Sequence, residues 1–333
     1  MRQVNLGSQG LVVSAQGLGC MGMSTTYGPS DEQENLGTLA RALELGVTLF
    51  DTAEVYGPYM NEELLGKAFA GKRDKIVLAT KVGFKFTAEG KLAMEDGTPL
   101  VSGAPADVRA AVDGSLRRLR TDFIDLLYLH RIDPATPIED TIGALAALVK
   151  DGKVRYIGVS EASAATIRKA HAVHPVTAVQ TEYSLFERGV EHNDVLKTVR
   201  ELGIGFVSYS PLGRGFLSGE LKNLDKLAPT DFRRFDPRFQ GENLQANLRL
   251  VDRITEVASA KGVKPSQLAI AWTMSVGTVP IPGTRRVTYL EENVAAAEIT
   301  LTQDDLAALD AAAPVGSATG DRYSAGMMET LGH

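Results

Sequence analysis

Apolar residues follow two alternating rhythms along this chain of 333 residues. Short, nearly continuous apolar runs at Gly17 to Gly22, Val47 to Phe50, Ile76 to Thr80, Ile124 to Leu129, Val154 to Val159, Thr177 to Gln180, Ile204 to Tyr209 and Thr278 to Ile281 predict eight strands. Between them an amphipathic period predicts helices over roughly 31–45, 60–70, 105–119, 137–150, 162–172, 190–202, 246–261, 265–275, 287–296 and 302–312. Glycine follows Leu45, Asp151 and Leu202, where a left-handed cap closes a helix. Strands without alternation imply a parallel sheet covered by helices, and eight strand-helix units close into a (β/α)8, or TIM, barrel. The fold class is therefore α/β, read as a single barrel domain over residues 1–333. Ten helices exceed what eight strands require, so at least two are insertions or additions. Ahead of the first strand, Gln3 to Leu6 and Leu11 to Val13 flank Gly-Ser-Gln-Gly, the pattern of a hairpin that would cap the N-terminal end of the barrel. Two stretches break the rhythm: 217–243, with Pro229, Pro237, Arg233, Arg234 and Arg238, and the glycine-rich, polar tail 314–333.

Composition narrows the partners. With 44% apolar and 23% charged residues the chain can bury a large core. A net charge of -6 argues against a general nucleic-acid or anionic-membrane binder and points to small molecules. Cys20 is the only cysteine, so no internal disulfide and no cysteine-based zinc site can form. His171 and His174 could share a helix face, but no acidic or histidine partner completes a metal motif. No stretch has the length of a membrane span and the N-terminus lacks a secretory pattern, so the expected location is cytoplasmic. Oligomeric state leaves no trace.

Four polar residues sit at or just past strand ends: Asp51, Tyr56, Lys81 and His130. In a parallel barrel those ends converge, which brings an acid, a phenol, an amine and an imidazole into one cleft. Each alone has a plain reading: a helix cap, a packing ring, a solvated amine, a core histidine. Together they suggest proton transfer from Tyr56, with the Lys81 ammonium lowering the phenol's pKa, Asp51 holding the ammonium and His130 orienting the substrate. A rival motif overlaps them. Gly17-Leu18-Gly19-Cys20-Met21-Gly22 matches the dinucleotide fingerprint G-x-G-x-x-G, which requires a helix opening on the glycines. Here Met23 to Pro29 is turn-like and Asp51 comes too late to serve as the ribose acid, so a doubly wound sheet is the weaker reading.

With the tetrad placed, the chain resembles the aldo-keto reductases over nearly its whole length. The matching segments are Gly-Leu-Gly-Cys-Met-Gly-Met-Ser, Asp51-Thr-Ala-Glu-Val-Tyr56-Gly, Thr80-Lys81-Val-Gly, Leu126 to His130, Gly158-Val-Ser160, Ser208-Tyr209-Ser210-Pro211-Leu212-Gly213, and Ile281-Pro282-Gly283-Thr284-Arg285-Arg286 running into Glu292-Asn293. Within that superfamily the sequence looks most like bacterial and plant reductases related to perakine reductase and pyridoxal reductase. The resemblance implies NADPH/NADP+ bound at the C-terminal mouth of the barrel and a small carbonyl substrate reduced to an alcohol. It also implies Tyr209 stacked on the nicotinamide, Ser160 and Gln180 on its carboxamide, and Ser210, Pro211, Leu212, Gly213, Arg214 and Gly215 along the pyrophosphate. Gly283, Thr284 and Arg285 would hold the 2'-phosphate, and Glu292 and Asn293 the adenine. Gly19, Cys20 and Met21 at the first strand end and Tyr289 count with this cofactor site. On this reading segment 217–243 is a candidate cofactor lid and the tail a candidate wall of the substrate pocket; solvated loops are the plain alternative. Two positions depart from the family's pattern: Glu161 stands for an asparagine and Tyr289 for an arginine. Two alternatives remain: a non-catalytic, cofactor-binding regulatory subunit like the potassium-channel β subunits, and a barrel lyase or hydrolase that binds no nicotinamide.

Overall fold

The computed structural model describes residues 1–333. Eight parallel strands form the central sheet: β1 (Leu18–Gly19), β2 (Leu49–Asp51), β3 (Val77–Val82), β4 (Ile124–Leu129), β5 (Val154–Ser160), β6 (Val176–Glu182), β7 (Gly205–Tyr209) and β8 (Val279–Pro280). Their order round the sheet is their order along the chain. The ring is joined by a parallel bridge between Gly19 and Gly283 and by Gly17 N–H donating to Pro280 O at 3.0 Å. This is a (β/α)8 barrel, as the apolar pattern predicts. No Cβ fits at the seam. One added to Gly19 would lie 2.7 Å from Ile281 O, and one added to Gly283 would lie 2.8 Å from Gly19 O.

The helices are α1 (Glu32–Glu44), α2 (Met60–Ala68), α3 (Pro105–Leu119), α4 (Ile138–Lys150), α5 (Ala164–Val173), α6 (Val195–Glu201), α7 (Gly241–Lys261), α8 (Pro265–Ser275), α9 (Val287–Ala295), α10 (Gln303–Ala312) and the short α11 (Ala325–Met328) in the tail. Two differ from their sequence boundaries for local reasons. Residues 190–202 do not form one helix, because Asp194 takes a left-handed conformation and α6 begins only after it. Conversely α7 starts before 246, its first turn fastened by Asn243 donating to Pro237 O and Asn247 to Arg238 O. The glycine fingerprint leads into two short 3-10 turns, Met21–Met23 and Thr25–Tyr27, and α1 begins only at Glu32. No helix opens on the glycines, so the doubly wound reading falls.

Strand alternation sorts the side chains. Leu49, Ala79, Leu126, Tyr128, Ala178, Val207, Val279 and Ile281 point inward and fill the barrel, while a larger cluster including Phe50, Leu78, Leu127 and Val179 packs under the helices. The hairpin Gln3–Asn5 with Val12–Ser14 adds Leu6, Leu11 and Val13 to the inner cluster, and its turn at Gly7 abuts Thr177 O and Gly205 N at the strand starts. It therefore plugs the N-terminal end. Two positions further along, the same inward phase brings six of the strands to the C-terminal mouth: Leu49 to Asp51, Ala79 to Lys81, Tyr128 to His130, Gly158 to Ser160, Ala178 to Gln180 and on to Glu182, and Val207 to Tyr209. No helix is long and apolar enough to cross a membrane.

Candidate active site

Lys81 is the centre of the mouth. Its side chain is 1% exposed, and its ammonium donates to Asp51 Oδ1, to Thr52 O at 2.9 Å and to Tyr56 OH at 3.0 Å. Those are the three donors an ammonium has, and it offers no lone pair. The Tyr56 oxygen must therefore accept, which leaves its own O–H free to donate elsewhere. The other Asp51 oxygen accepts from Gln180 Nε2 at 2.8 Å. Tyr56 lies in the loop after β2, turned back by its N–H on Ala53 O, and its ring meets the His130 ring edge-on at 6.0 Å between centroids. His130 Nδ1 is buried and makes no hydrogen bond.

The protonation states follow from burial and charge. Burial would lower the Lys81 pKa, but Asp51 and Tyr56 together hold it above its ordinary range, so it is an ammonium. His130 is pushed well below its ordinary value by burial first, then by Arg131 and Lys81, so it is neutral. For Tyr56 the sequence expectation needs correcting. Lys81 does pull its pKa down, yet burial is the larger effect and the phenol ends above its usual value. It is thus held protonated, the state a proton donor needs.

Sequence reasoning missed three parts of this site. Glu54, from the loop between β2 and α2, is buried and accepts from Gly83 N–H just past Lys81 at 3.0 Å. Arg131 is buried beside His130, donating to His130 O at 2.7 Å and toward Ser160 Oγ at 3.5 Å. The third is a network that the tail completes. Glu161 accepts from Arg322 on both oxygens, at 3.1 and 3.0 Å, and from Tyr209 OH at 2.8 Å. Tyr323 reaches Tyr209 OH at 3.0 Å and lies under the Arg214 guanidinium at 4.4 Å. Burial would raise the Glu161 pKa, but Arg322 and Arg131 hold it below the usual carboxylate range. The tail is also fastened at Gly332 N–H on Glu161 O and Ser163 N–H on His333 O, both 2.9 Å.

The cofactor candidates divide by place. Ser160, Gln180 and Tyr209 come together with Asp51 at the mouth, Ser160 paired in register with Gln180. Ser210 to Gly215, including Pro211 and Leu212, form a tight turn after β7 in which Ser210, Gly213, Arg214 and Gly215 have positive φ. Arg214 is committed to Asp236 and Glu182. Gly283 to Arg286 lead into α9, whose first amides have no side-chain cap, with Arg286 exposed and Arg285 half-buried beside them, the latter donating to Pro29 O at 2.5 Å. That arrangement suits a phosphate. Further along α9, Tyr289 donates to Glu220 at 2.8 Å, Glu292 is held by Lys264 and Ser266, and Asn293 is buried. Gly19 serves the barrel seam, the Cys20 thiol is buried and pushed far up by burial, and Met21 starts the turn after them.

Segment 217–243 runs as a series of short 3-10 turns up to the start of α7 at Gly241. Arg233 pairs with Asp231 and lies over the Tyr27 ring at 4.8 Å, Arg234 donates to Leu224 O at 2.6 Å, and Arg238 binds Glu187 at 2.7 Å and Gly320 O at 3.2 Å. Arg233 thus ties the segment to the first loop and Arg238 ties it to the tail, while Arg234 closes the segment on itself. A cavity of about 370 Å³ lies at the other end of the barrel, between the hairpin, α6 and β7, and holds none of the strand-end side chains. Within the mouth, the unpartnered His130 Nδ1 and Arg131 Nε are buried polar atoms that a bound nicotinamide and substrate could satisfy.

Comparison with known proteins agrees with this geometry. The profile described as the aldo/keto reductase family matches residues 16–314. The structure of a glycerol dehydrogenase from Gluconobacter oxydans superposes with a TM-score of 0.83 and 30% sequence identity, over 93% of this chain and 94% of that one.

Proposed function

The chain belongs to the aldo/keto reductase family, an oxidoreductase scaffold for carbonyl and alcohol groups that uses nicotinamide cofactors, and from that premise we propose that it reduces aldehydes or ketones to alcohols with NADPH. The observation that carries this reading is the Lys81 ammonium, whose three donors are spent on Asp51, Thr52 and Tyr56. A nicotinamide held there would supply the hydride for the carbonyl carbon. Tyr56, kept protonated by burial and oriented by Lys81, gives its free proton to the carbonyl oxygen. As that proton leaves, the ammonium 3.0 Å away stabilises the phenolate, and Asp51 keeps the ammonium in place. Neutral His130 offers a ring N–H to the same carbonyl oxygen and fixes its direction.

Around this centre, Ser160, Gln180 and Tyr209 suit the nicotinamide, the turn from Ser210 to Gly215 the pyrophosphate, and Gly283, Thr284 and Arg285 the 2'-phosphate. The adenine then lies toward Tyr289, Glu292 and Asn293. In this reading 217–243 is the cofactor lid, the protein works on small carbonyl compounds in the cytoplasm, and within the family it groups with the reductases related to perakine and pyridoxal reductase. The motifs Gly-Cys-Met-Gly-Met and Ser-Pro-Leu-Gly-Arg-Gly support that last placement.

NADPH consumption with a panel of aromatic aldehydes, and NADP+ reduction with small polyols such as glycerol, test the proposal. Turnover supports it. Tight NADPH binding without turnover on any member would favour a regulatory subunit, and no nicotinamide binding would favour a lyase or hydrolase.

A further inference from the structure

We propose that Arg131 contacts the cofactor, its guanidinium donating to the carboxamide oxygen of the bound nicotinamide. The inference rests on the nicotinamide reading above and adds to it a residue that the motifs do not mark.

Arg131 is unlike every other arginine round the mouth. Arg214 has Asp236 and Glu182, Arg233 has Asp231, Arg238 has Glu187 and Glu182, and Arg322 has Glu161. Arg131 is 5% exposed and forms no ion pair with any carboxylate. Its Nη1 is fixed by His130 O and Ser160 Oγ, its Nε is enclosed with no acceptor, and its Nη2 donates to no protein group. Burying a guanidinium with unused donors costs several kcal/mol. A ligand oxygen would recover that cost on binding.

An inventory of the polar groups at the mouth points to that oxygen. A nicotinamide carboxamide brings one acceptor oxygen and one NH2. Of the side chains that could meet it, Glu161 can only accept, and both its oxygens are already engaged by Arg322, Tyr209 and Glu182 N–H. The Gln180 NH2 donates to Asp51, and the Tyr209 hydroxyl to Glu161. Acceptors are left at Ser160 and at the Gln180 carbonyl, which suit the NH2. Donors are left on the Ser160 hydroxyl, on the second Gln180 N–H and on Arg131, and of these only Arg131 is a cation buried without a carboxylate partner. Its position agrees: its guanidinium reaches toward Ser160 Oγ at 3.5 Å, on the strand end paired with Gln180.

Binding constants test this without any turnover. NADPH and 2'-phospho-ADP-ribose, which lacks the nicotinamide, would be titrated against the wild type, Arg131→Met and Arg131→Lys. We expect Arg131→Met to weaken NADPH about 10-fold or more while 2'-phospho-ADP-ribose stays within about twofold, because a lost charge-assisted hydrogen bond is a local effect. Unchanged binding of the second ligand also reports that the variant is folded. Thio-NADPH, whose thioamide sulfur accepts poorly, should bind the wild type more weakly than NADPH yet be indistinguishable from NADPH in Arg131→Met; an arginine that merely holds Ser160 would not produce that. Equal losses for both ligands, or NADPH binding within about twofold of wild type, overturn the inference and leave the nicotinamide reading standing. A wild type that binds neither NADPH nor NADH overturns both.

Discussion

Replacing Glu54 by glutamine should flatten the pH dependence of stability, and the structure supplies the magnitude. Glu54 is 2% exposed, and its carboxyl pKa is pushed up to about 8 from an ordinary 4.5, first by burial and then by Glu62. The Gly83 and Phe84 amides and Arg118 oppose the rise without cancelling it. A carboxyl with a raised folded pKa binds its proton more tightly in the native state. Its contribution is therefore complete below pH 4.5 and is lost as pH rises to about 8. At about 1.36 kcal/mol per unit the whole span is on the order of 5 kcal/mol, of which about 4 falls between about pH 5 and about pH 9. Glutamine keeps the shape and can still accept from Gly83, but does not ionise. Urea unfolding of both proteins across that range should show the wild type losing about 4 kcal/mol relative to Glu54→Gln as pH rises, with the gap constant above about pH 9. Parallel curves would mean that Glu54 is already ionised at neutral pH and that its cavity is wetter than the packing indicates.

Other consequences are as direct. Tyr56→Phe should lower turnover by about 10²–10⁴ while leaving NADPH affinity nearly unchanged, since it removes a proton and no cofactor contact; retained activity within about tenfold would assign the proton elsewhere. Arg285→Ala should weaken NADPH by about 1.5–3 kcal/mol and NADH far less, because Arg285 is a half-buried cation with no carboxylate partner at the uncapped start of α9. Equal losses would move the 2'-phosphate role to Arg286 or to the arginines of 233–238. Removing residues after Ala318 should raise KM for bulky aromatic aldehydes and alter the kcat/KM ratio between two aldehydes of different size. It should also destabilise the fold by about 3–5 kcal/mol, because Glu161 loses its only bidentate partner while still buried. An unchanged ratio would remove the tail from the pocket, and unchanged stability would mean that Glu161 finds another cation.

What the sequence made legible was everything carried by local pattern. Continuous apolar runs marked all eight strands, and the alternation inside them puts Asp51, Lys81 and His130 in the inward phase. Arg131 and Glu54 escaped because their significance lies in what surrounds them: one is buried without a counter-charge, the other beside a second carboxylate. Neither condition has a sequence period. Glu161 and Arg322 are far apart along the chain, and a polar, glycine-rich tail looks the same whether it is solvated or locked to a buried acid. One omission was avoidable. The antiparallel hairpin of Met94–Glu95 with Thr98–Pro99 turns at Asp96-Gly97, both with positive φ, and Asp-Gly is a strong two-residue hairpin signal.

The seam at Gly19 and Gly283 bears on how the chain folds as it is made. Its two halves are separated by some 264 residues, so during synthesis β1 has only β2 beside it until the last strand emerges. The N-terminal hairpin waits as well, since Gly7 needs Thr177 and Gly205 to rest against. Contacts of such long sequence separation pay their loop-closure entropy before they return any stability. Barrel closure should thus be a late, slow event that follows the pairing of β3 to β7, and a side chain at either seam glycine should slow refolding more than it disturbs the strands already joined.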